Sequence, residues 1–170
     1  PIQKTRLDMI EIIDNFLPEE EFKSIQSLLM GGEFTWYYND GYVSKDDGGH
    51  FMCHLFYHSD VGANSNHMGI WETFMTKIEA KKCTRIKANL TFKTSEADPT
   101  SYHIDFNDIT TAIFYINTNN GYTEFENGVI VNSVSNRVCI FDSNLQHRGV
   151  THTEGDPQRI VVNFNYDKSN

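Results

Sequence analysis

The sequence predicts a mainly β protein, an antiparallel sandwich or jelly roll, with two helices in its first half. From Arg85 onward the helical spacing of apolar residues disappears, and short β-rich runs follow at near-regular intervals. Clusters of turn-forming residues separate these runs, which is typical of antiparallel folds rather than of βαβ units. The runs are 85–92, 110–116, 129–134, 138–141, 148–153 and 159–166.

The first half mixes helices and strands. Pro18 and the acidic residues 19–21 are typical of a helix start, and Gly31-Gly32 is typical of its end. A second helix is predicted over 67–82, with an apolar stripe that includes Trp71 and Phe74. Residues 34–43 and 51–57 are predicted strands on either side of a Gly-rich segment.

Composition limits the class of protein. The chain has 170 residues, of which 39% are hydrophobic, and its net charge is 14 − 23 = −9. These values predict a globular domain and exclude one that holds nucleic acid mainly by charge, because phosphate binding needs a basic face. No apolar run is long enough to span a membrane. With no repeat or linker, we expect one domain over 1–170, in which 1–84 is support and 85–166 carries the site.

Cysteine usage and the first residues favour a cytoplasmic protein. The three cysteines are Cys53, Cys83 and Cys139, an odd number in apolar surroundings, and we interpret them as reduced thiols. Residues 1–6 have no apolar stretch typical of a signal peptide.

The chemistry candidates begin with His103 and Asp105. On a strand, side chains two positions apart share a face, so both could point into one cavity. A His-x-Asp triplet alone is weak evidence, but His147 follows an apolar strand and Arg159 opens another. A cation at the start of a buried strand needs a carboxylate partner.

Two imidazoles and one carboxylate form the facial triad of non-haem Fe(II) oxygenases. Three protein ligands on one face of an octahedron leave three positions, of which a 2-oxo acid can fill two and dioxygen the third. A buried arginine then binds the far carboxylate of the 2-oxo acid, because its guanidinium matches a carboxylate bidentately.

The sequence resembles the 2-oxoglutarate- and Fe(II)-dependent oxygenases, and within them the prolyl-4-hydroxylase-like branch. The shared motif is His103-x-Asp105, the distal His147 and the basic Arg159. The stretches that match in the same order are Ala112-Ile113-Phe114-Tyr115-Ile116-Asn117, Gly121-Tyr122-Thr123-Glu124-Phe125 and Ile140-Phe141 with His147-Arg148-Gly149.

The first half is similar to small members of this group from marine phages and bacteria. The two stretches that carry this likeness are Phe51-x-x-His54-Leu55-Phe56-Tyr57 and Arg85-Ile86-Lys87-x-Asn89-Leu90.

The resemblance implies a double-stranded β-helix with helices packed on its outer sheet. It implies that His103, Asp105 and His147 bind Fe(II) and that Arg159 pairs with the distal carboxylate of 2-oxoglutarate. The remaining co-substrate candidates are Tyr115, Asn163 and Asn89, the last at a position where prolyl hydroxylases commonly have tyrosine. The implied reaction uses O2, converts 2-oxoglutarate to succinate and CO2, and hydroxylates a substrate C–H bond, with ascorbate as a further candidate cofactor.

Several alternatives stay beside this hypothesis. His152 could replace His147 as distal ligand, but the two lie an odd number of residues apart on one strand, so we favour His147. Arg85 and Lys87 alternate on a strand face that we expect to be solvated. His54 is interpreted as a polar strand residue. A cupin-like jelly roll that binds a metal or ligand without oxygenase activity is the non-enzymatic alternative.

For the substrate we expect a protein or peptide side chain, with proline first and a small free metabolite second. The negative net charge argues against nucleic acid, and no membrane partner is expected. The Gly-rich segment 40–49 lies where a substrate-covering loop is expected from the resemblance to prolyl hydroxylases.

Overall fold

Twelve strands and two helices make up the computed structural model, which describes residues 2–7, 9–42 and 48–168. The strands are β1 (Gln3–Leu7), β2 (Ile10–Asp14), β3 (Tyr37–Asp40), β4 (His50–His58), β5 (Gly62–Ala63), β6 (Ala80–Phe92), β7 (Thr110–Tyr115), β8 (Tyr122–Phe125), β9 (Ile130–Asn132), β10 (Arg137–Asp142), β11 (His147–Val150) and β12 (Gln158–Lys168). The helices are α1 (Glu19–Met30) and α2 (Glu72–Lys77), the latter preceded by a 3-10 turn at Met68–Trp71.

The strands form one large and one small antiparallel sheet. The order in the large sheet is β1-β2-β10-β7-β12-β6-β4-β3, with β5 beside β4. The small sheet has the order β11-β8-β9. Two isolated bridges, Pro99 to Val150 and His103 to His147, attach the segment between β6 and β7 to β11. The prediction of a mainly β jelly roll with two helices is confirmed.

The two faces of the large sheet have different partners. On β12, Ile160, Val162 and Phe164 belong to the core beneath the helices, whereas Val161 belongs to the core shared with the small sheet. Such alternation follows from the two-residue period of a strand. The large sheet therefore separates an aromatic core on its helical side from the space between the two sheets.

The helices cover the outer face of the large sheet. Phe22, Ile25 and Leu29 are the buried residues of α1, which begins directly after Pro18 as predicted. The fully buried Phe74 of α2 stacks on Phe164 of β12, with ring centroids 4.0 Å apart. This packing fixes β12 from behind and so holds its opposite face in place.

Two predicted boundaries differ in the structure. The second helix, predicted over 67–82, begins as a 3-10 turn and ends at Lys77. Glu79 has a φ of 57°, which no helix continues through, and β6 starts at Ala80 because it pairs with the end of β12. The strand predicted over 34–43 is restricted to Tyr37–Asp40, and its last position lies outside the described residues.

The sequence analysis missed four strands, β1, β2, β5 and β8, of which β5 has only two residues and is too short to show a period. Every residue of β1 is exposed, so it has no apolar alternation to find, and β2 is paired between β1 and β10. The segment that forms β8 was interpreted as a turn, but it is the central strand of the small sheet.

The state of the cysteines and the length of the helices are two further features of the fold. All three cysteines are free thiols, as predicted, and Cys139 is buried. Within the described residues, no helix combines the length and the apolar character needed to cross a membrane.

We expect Phe74→Ala to lower the free energy of unfolding by about 3–5 kcal/mol, because it leaves a cavity beside Phe164. Phe92→Ala is the matched control, since Phe92 is 46% exposed, and it should cost about 0.5 kcal/mol or less. Urea denaturation of the three proteins measures both values. Equal losses in the two variants would contradict this assignment of the core.

Candidate active site

A cavity of about 440 Å³ lies between the two sheets. The inner faces of β6, β7 and β12 form one side, and β8, β11 and the segment before β7 contribute to the other. The predicted site residues that line it are His103, Asp105, His147, Arg159, Asn163 and Asn89. Tyr115 lies behind Arg159, whose guanidinium carbon is 5.9 Å from the centre of the tyrosine ring.

The two histidines meet across a backbone bridge. His103 and His147 exchange both N–H to carbonyl hydrogen bonds, each 3.0 Å long, and their ring centroids are 4.8 Å apart. The Nδ1 atoms lie 3.0 Å from the Ser101 carbonyl and 3.3 Å from the Leu145 carbonyl, respectively. Neither Nε2 atom has a hydrogen-bond partner among the described residues, and a metal-binding histidine commonly has its other nitrogen on a carbonyl in this way.

The Asp105 carboxylate is held by three side chains. Arg85 of β6 forms an ion pair with its Oδ1 atom at 2.9 Å. Asn163 and Asn165 of β12 each donate an amide N–H to its Oδ2 atom at 3.3 Å. The Arg85 Nε atom also donates to the Asn165 side-chain carbonyl at 3.1 Å, which closes the network.

The protonation states of these groups suit a cation. Burial by itself raises the pKa of Asp105, but Arg85, His147 and His103 outweigh it and lower the pKa to about 2. Burial lowers the pKa of His147 to about 4, although Asp105 opposes this. At neutral pH Asp105 is therefore ionised and His147 is neutral, which are the forms that bind metals.

The donor set fits a ferrous ion by its chemistry, although the described residues do not enclose one. Within them, no three His, Cys, Asp or Glu side chains are grouped closely enough to hold a metal ion. The Asp105 carboxylate is instead engaged with Arg85 and the two asparagines. A carboxylate accepts about four hydrogen bonds, and Asp105 accepts three, so it retains capacity for a further ligand.

Arg159 is a buried cation with an unused donor. It is 4% exposed, and its Nε atom donates to the Ser133 hydroxyl at 2.7 Å. Its buried Nη2 atom has no hydrogen-bond partner in the part of the chain that the structure describes. A Cβ at Gly121 would lie 2.7 Å from the Arg159 Cδ atom, so only glycine leaves room for this side chain. Burial lowers the pKa of Arg159, as expected for a cation without a carboxylate beside it.

Further polar atoms of the lining lack partners. Within the described residues, the buried Asn89 Oδ1, Thr91 Oγ1 and Asn163 Oδ1 atoms form no hydrogen bond. Most buried polar atoms in proteins are paired, so several unpaired ones around one cavity are typical of a site that binds a polar ligand.

Arg85 and Lys87 correct an expectation from the sequence. The face of β6 on which they alternate was expected to be solvated, but both line the cavity. Asn89 was already assigned to the site. Lys87 and Arg85 lie two and four positions before it and share its strand face, so the two-residue period of the strand predicts that they line the same cavity. Asn165 and Ser133 were also missed: Asn165 lies two positions after the assigned Asn163 and shares its strand face, whereas no local pattern marks Ser133.

The alternative histidines lie elsewhere. His152 is fully buried and its Nε2 atom lies 2.7 Å from the Asp156 carbonyl. His54 faces the helical side of β4, where its nitrogens contact the Thr35 carbonyl and the Ser65 hydroxyl. Of the proposed covering loop 40–49, residues 43–47 lie outside the described residues.

Comparison with solved structures relates this arrangement to known proteins. A prolyl hydroxylase from Trichoplax adhaerens, in complex with a peptide fragment of the hypoxia inducible factor oxygen degradation domain, has a TM-score of 0.64 at 14% identity, covering 94% of this chain and 84% of its own. A 2OG-Fe(II) oxygenase family oxidoreductase from Burkholderia pseudomallei has a TM-score of 0.69 at 9% identity, with 95% and 86% covered. The fold is that of the 2-oxoglutarate- and iron-dependent oxygenases.

A third neighbour is the epimerase SnoN in complex with Fe³⁺, α-ketoglutarate and nogalamycin RO. Its TM-score is 0.67 at 13% identity, with 95% of this chain and 79% of SnoN covered. No family model and no curated protein sequence matches the chain. The likeness is thus one of fold, shared by a protein solved with a peptide and another solved with a small molecule.

In the metal-free protein we expect Arg85→Met to raise the pKa of Asp105 by at least about one unit, because it removes the cation beside the carboxylate. The folded-state pKa of Asp105 lies below its ordinary value of 3.8, so its stabilisation is present above about pH 4 and is lost as the pH falls towards 2. Carboxyl-carbon NMR measures the shift. Arg137→Met, which removes the partner of Asp14, is the control, and an unchanged Asp105 pKa in Arg85→Met would contradict the ion pair.

Proposed function

We propose that the protein is an Fe(II)- and 2-oxoglutarate-dependent dioxygenase that hydroxylates a substrate C–H bond. The observation that carries this proposal is the buried Arg159 guanidinium, whose Nη2 atom has no partner among the described residues, in one cavity with two imidazoles and a carboxylate. A buried cation with a free N–H fits a ligand carboxylate, and two imidazoles with one carboxylate are donors that suit ferrous iron. The fold shared with oxygenases of this class supports the same conclusion.

The iron would be held by His103, His147 and Asp105. The backbone carbonyls at Ser101 and Leu145 orient the two rings so that Nε2 of each is left for the metal. Arg85, Asn163 and Asn165 hold the Asp105 carboxylate ionised and fixed in orientation. When bound, iron and 2-oxoglutarate would supply the oxidising chemistry, in which O2 converts the co-substrate to succinate and CO2 and one oxygen atom enters the substrate.

The co-substrate would lie between the metal ligands and Arg159. The Arg159 guanidinium binds the distal carboxylate, and the Ser133 hydroxyl and the Tyr115 ring fix its position. Tyr115 donates its hydroxyl to Thr123 at 2.8 Å, so its role in this arrangement is to support the guanidinium and Thr123. Asn89 and Asn163 also line the cavity, and their buried side-chain oxygens, which have no partner among the described residues, would accept hydrogen bonds from donors of a bound substrate or water.

The substrate is proposed to be a protein or peptide side chain, with proline first, or a small free metabolite. Similarity to the prolyl-4-hydroxylase-like branch, including its small phage and bacterial members, supports the first. Proteins of similar fold have been solved in complex with a peptide and with nogalamycin RO, which is consistent with either substrate class. We further propose that residues 1–170 act as one oxygenase domain, with 1–84 supporting the site carried by 85–166.

Replacing either histidine should abolish iron binding. We expect His147→Ala or His103→Ala to weaken Fe(II) binding by more than roughly 100-fold. Replacing even a residue that only hydrogen-bonds to a metal ligand weakens metal binding by about 10–100-fold. His152→Gln is the matched control, because it keeps a donor near the Asp156 carbonyl and should bind Fe(II) normally. Anaerobic calorimetric titration with Fe(II) measures all three. Loss of iron in His152→Gln with retention in His147→Ala would show that the ligand assignment is wrong.

Arg159→Gln should weaken 2-oxoglutarate binding by about 2–4 kcal/mol, because it removes a charge-assisted contact to a carboxylate. Iron affinity should be unchanged. Anaerobic titration of the Fe(II) protein with 2-oxoglutarate, followed by the visible charge-transfer band, gives the affinity. Arg148→Gln is the control, since Arg148 pairs with Glu124 away from the cavity lining. A wild-type protein that binds Fe(II) but no 2-oxoglutarate would refute the proposed function.

A further inference from the structure

The cavity has more positive charge than the proposed metal and co-substrate sites use. Its described charged lining consists of Arg85, Lys87, Arg159 and the single carboxylate Asp105. Arg85 is paired with Asp105 at 2.9 Å, and Arg159 is assigned to 2-oxoglutarate. Lys87 forms no ion pair with any described residue. Among the described residues, a cation is thus left without an ion-pair partner in the binding cavity, although the whole chain has a net charge of −9.

Lys87 and Arg159 point to opposite sides of the cavity. Lys87 is paired with Asn163 in the β6–β12 register, and its Nζ atom lies 4.9 Å from the centre of the Phe51 ring on β4. Arg159 pairs with Thr91, four residues further along β6, and turns towards Tyr115 and Ser133. The amine of Lys87 is therefore turned towards a wall that neither the iron ligands nor Arg159 occupies.

The surroundings of Lys87 favour an incoming anion. The side chain is half-buried, and burial lowers the pKa of its ammonium group, which Cys53 and Asp105 offset only in part. Among the described residues, the ammonium group lies over the face of the Phe51 ring, which attracts a cation weakly. A partly desolvated ammonium without a carboxylate is unfavourable, and an anionic ligand group removes that cost.

We propose that the hydroxylated substrate is a small molecule with an anionic oxygen group, a carboxylate or a phosphate, that binds Lys87 beside Phe51. This rests on the proposed oxygenase function and specifies its substrate class. The volume of about 440 Å³ is within the range of small-molecule sites. Because Lys87 lies in the lining and not at an exposed rim, the anionic group must enter the cavity itself. A free acid does this more directly than the uncharged middle of a peptide chain.

The test compares matched charged and uncharged probes. Protein saturated anaerobically with Fe(II) and 2-oxoglutarate is titrated calorimetrically with N-acetylproline and its primary amide, glycerol 3-phosphate and glycerol, and a proline peptide capped at both ends. The variants are Lys87→Met and Lys87→Arg, with Lys81→Met as control, because Lys81 is an exposed lysine on the same strand.

We expect at least one anionic probe to bind wild-type protein on the order of tenfold more tightly than its uncharged counterpart. Lys87→Met should remove this preference, whereas Lys87→Arg and Lys81→Met should keep it. The carboxylate and phosphate arms distinguish the two chemistries. The 2-oxoglutarate affinity of Lys87→Met should stay within about twofold of wild type.

Three results would overturn the inference. One is that no anionic probe is preferred over its uncharged counterpart, and another is that the capped peptide binds more tightly than every anion. The third is that Lys87→Met weakens 2-oxoglutarate binding as strongly as Arg159→Gln does, because Lys87 would then belong to the co-substrate site. Failure of the wild-type protein to bind 2-oxoglutarate is a separate result that refutes the proposed function. The same titrations are run in parallel on the metal-free protein. A preference for anions that Lys87→Met removes there would support binding of the anion by Lys87 without iron or 2-oxoglutarate.

Discussion

The pairing of β6 with β12 is the constraint on which the rest of the site depends. These two strands lie side by side through most of their length, with Thr91 opposite Arg159 and Lys87 opposite Asn163. A slip of one residue would turn the cavity-facing side chains of the slipped strand towards the aromatic core and its apolar side chains towards the cavity. The helices prevent this slip, because Trp71 and Phe74 both pack against Phe164 of β12.

The aromatic core also offsets what the cavity costs. Among the described residues of the lining, the Arg159 Nη2 atom and the Asn89, Thr91 and Asn163 side-chain oxygens are buried without a partner, and each such group destabilises the fold. On the other face of the same sheet, Phe74 has its ring centroid 4.8 Å from that of Phe114 and Trp71 has its own 5.1 Å from that of Phe164. The two faces of one sheet therefore divide stability and binding between them.

The sequence predicts the parts of this protein that depend on local pattern. The apolar runs within β7 and β12 and the helical spacing within α1 are of that kind, and these elements lie close to where they were expected. The strand β1 is exposed at every position and exists only through its pairing with β2, which no local period records. Helix α2 ends early because β12 recruits the residues after Glu79 into β6, a contact from the far end of the chain.

The site follows the same division. The motif indicates His103, Asp105, His147 and Arg159, and the structure brings all four to one cavity. Arg85 and Lys87 share a strand face with Asn89, which was assigned to the site, so the strand period was sufficient to place them in the cavity. The ion pair of Arg85 with Asp105 links β6 to a segment outside the named strands, so residue types and spacing do not predict it.

The reciprocal backbone bridge between His103 and His147 has a mechanical consequence. The long connection from β6 to β7 carries two of the three metal-ligand candidates. Two isolated bridges, one of them between the histidines, help to attach it to the small sheet. A cation bound by side chains on both sides of that bridge would hold the connection against β11. Part of the free energy of cation binding would then order this connection. Binding of the cation and the conformation of the site entrance would therefore be coupled.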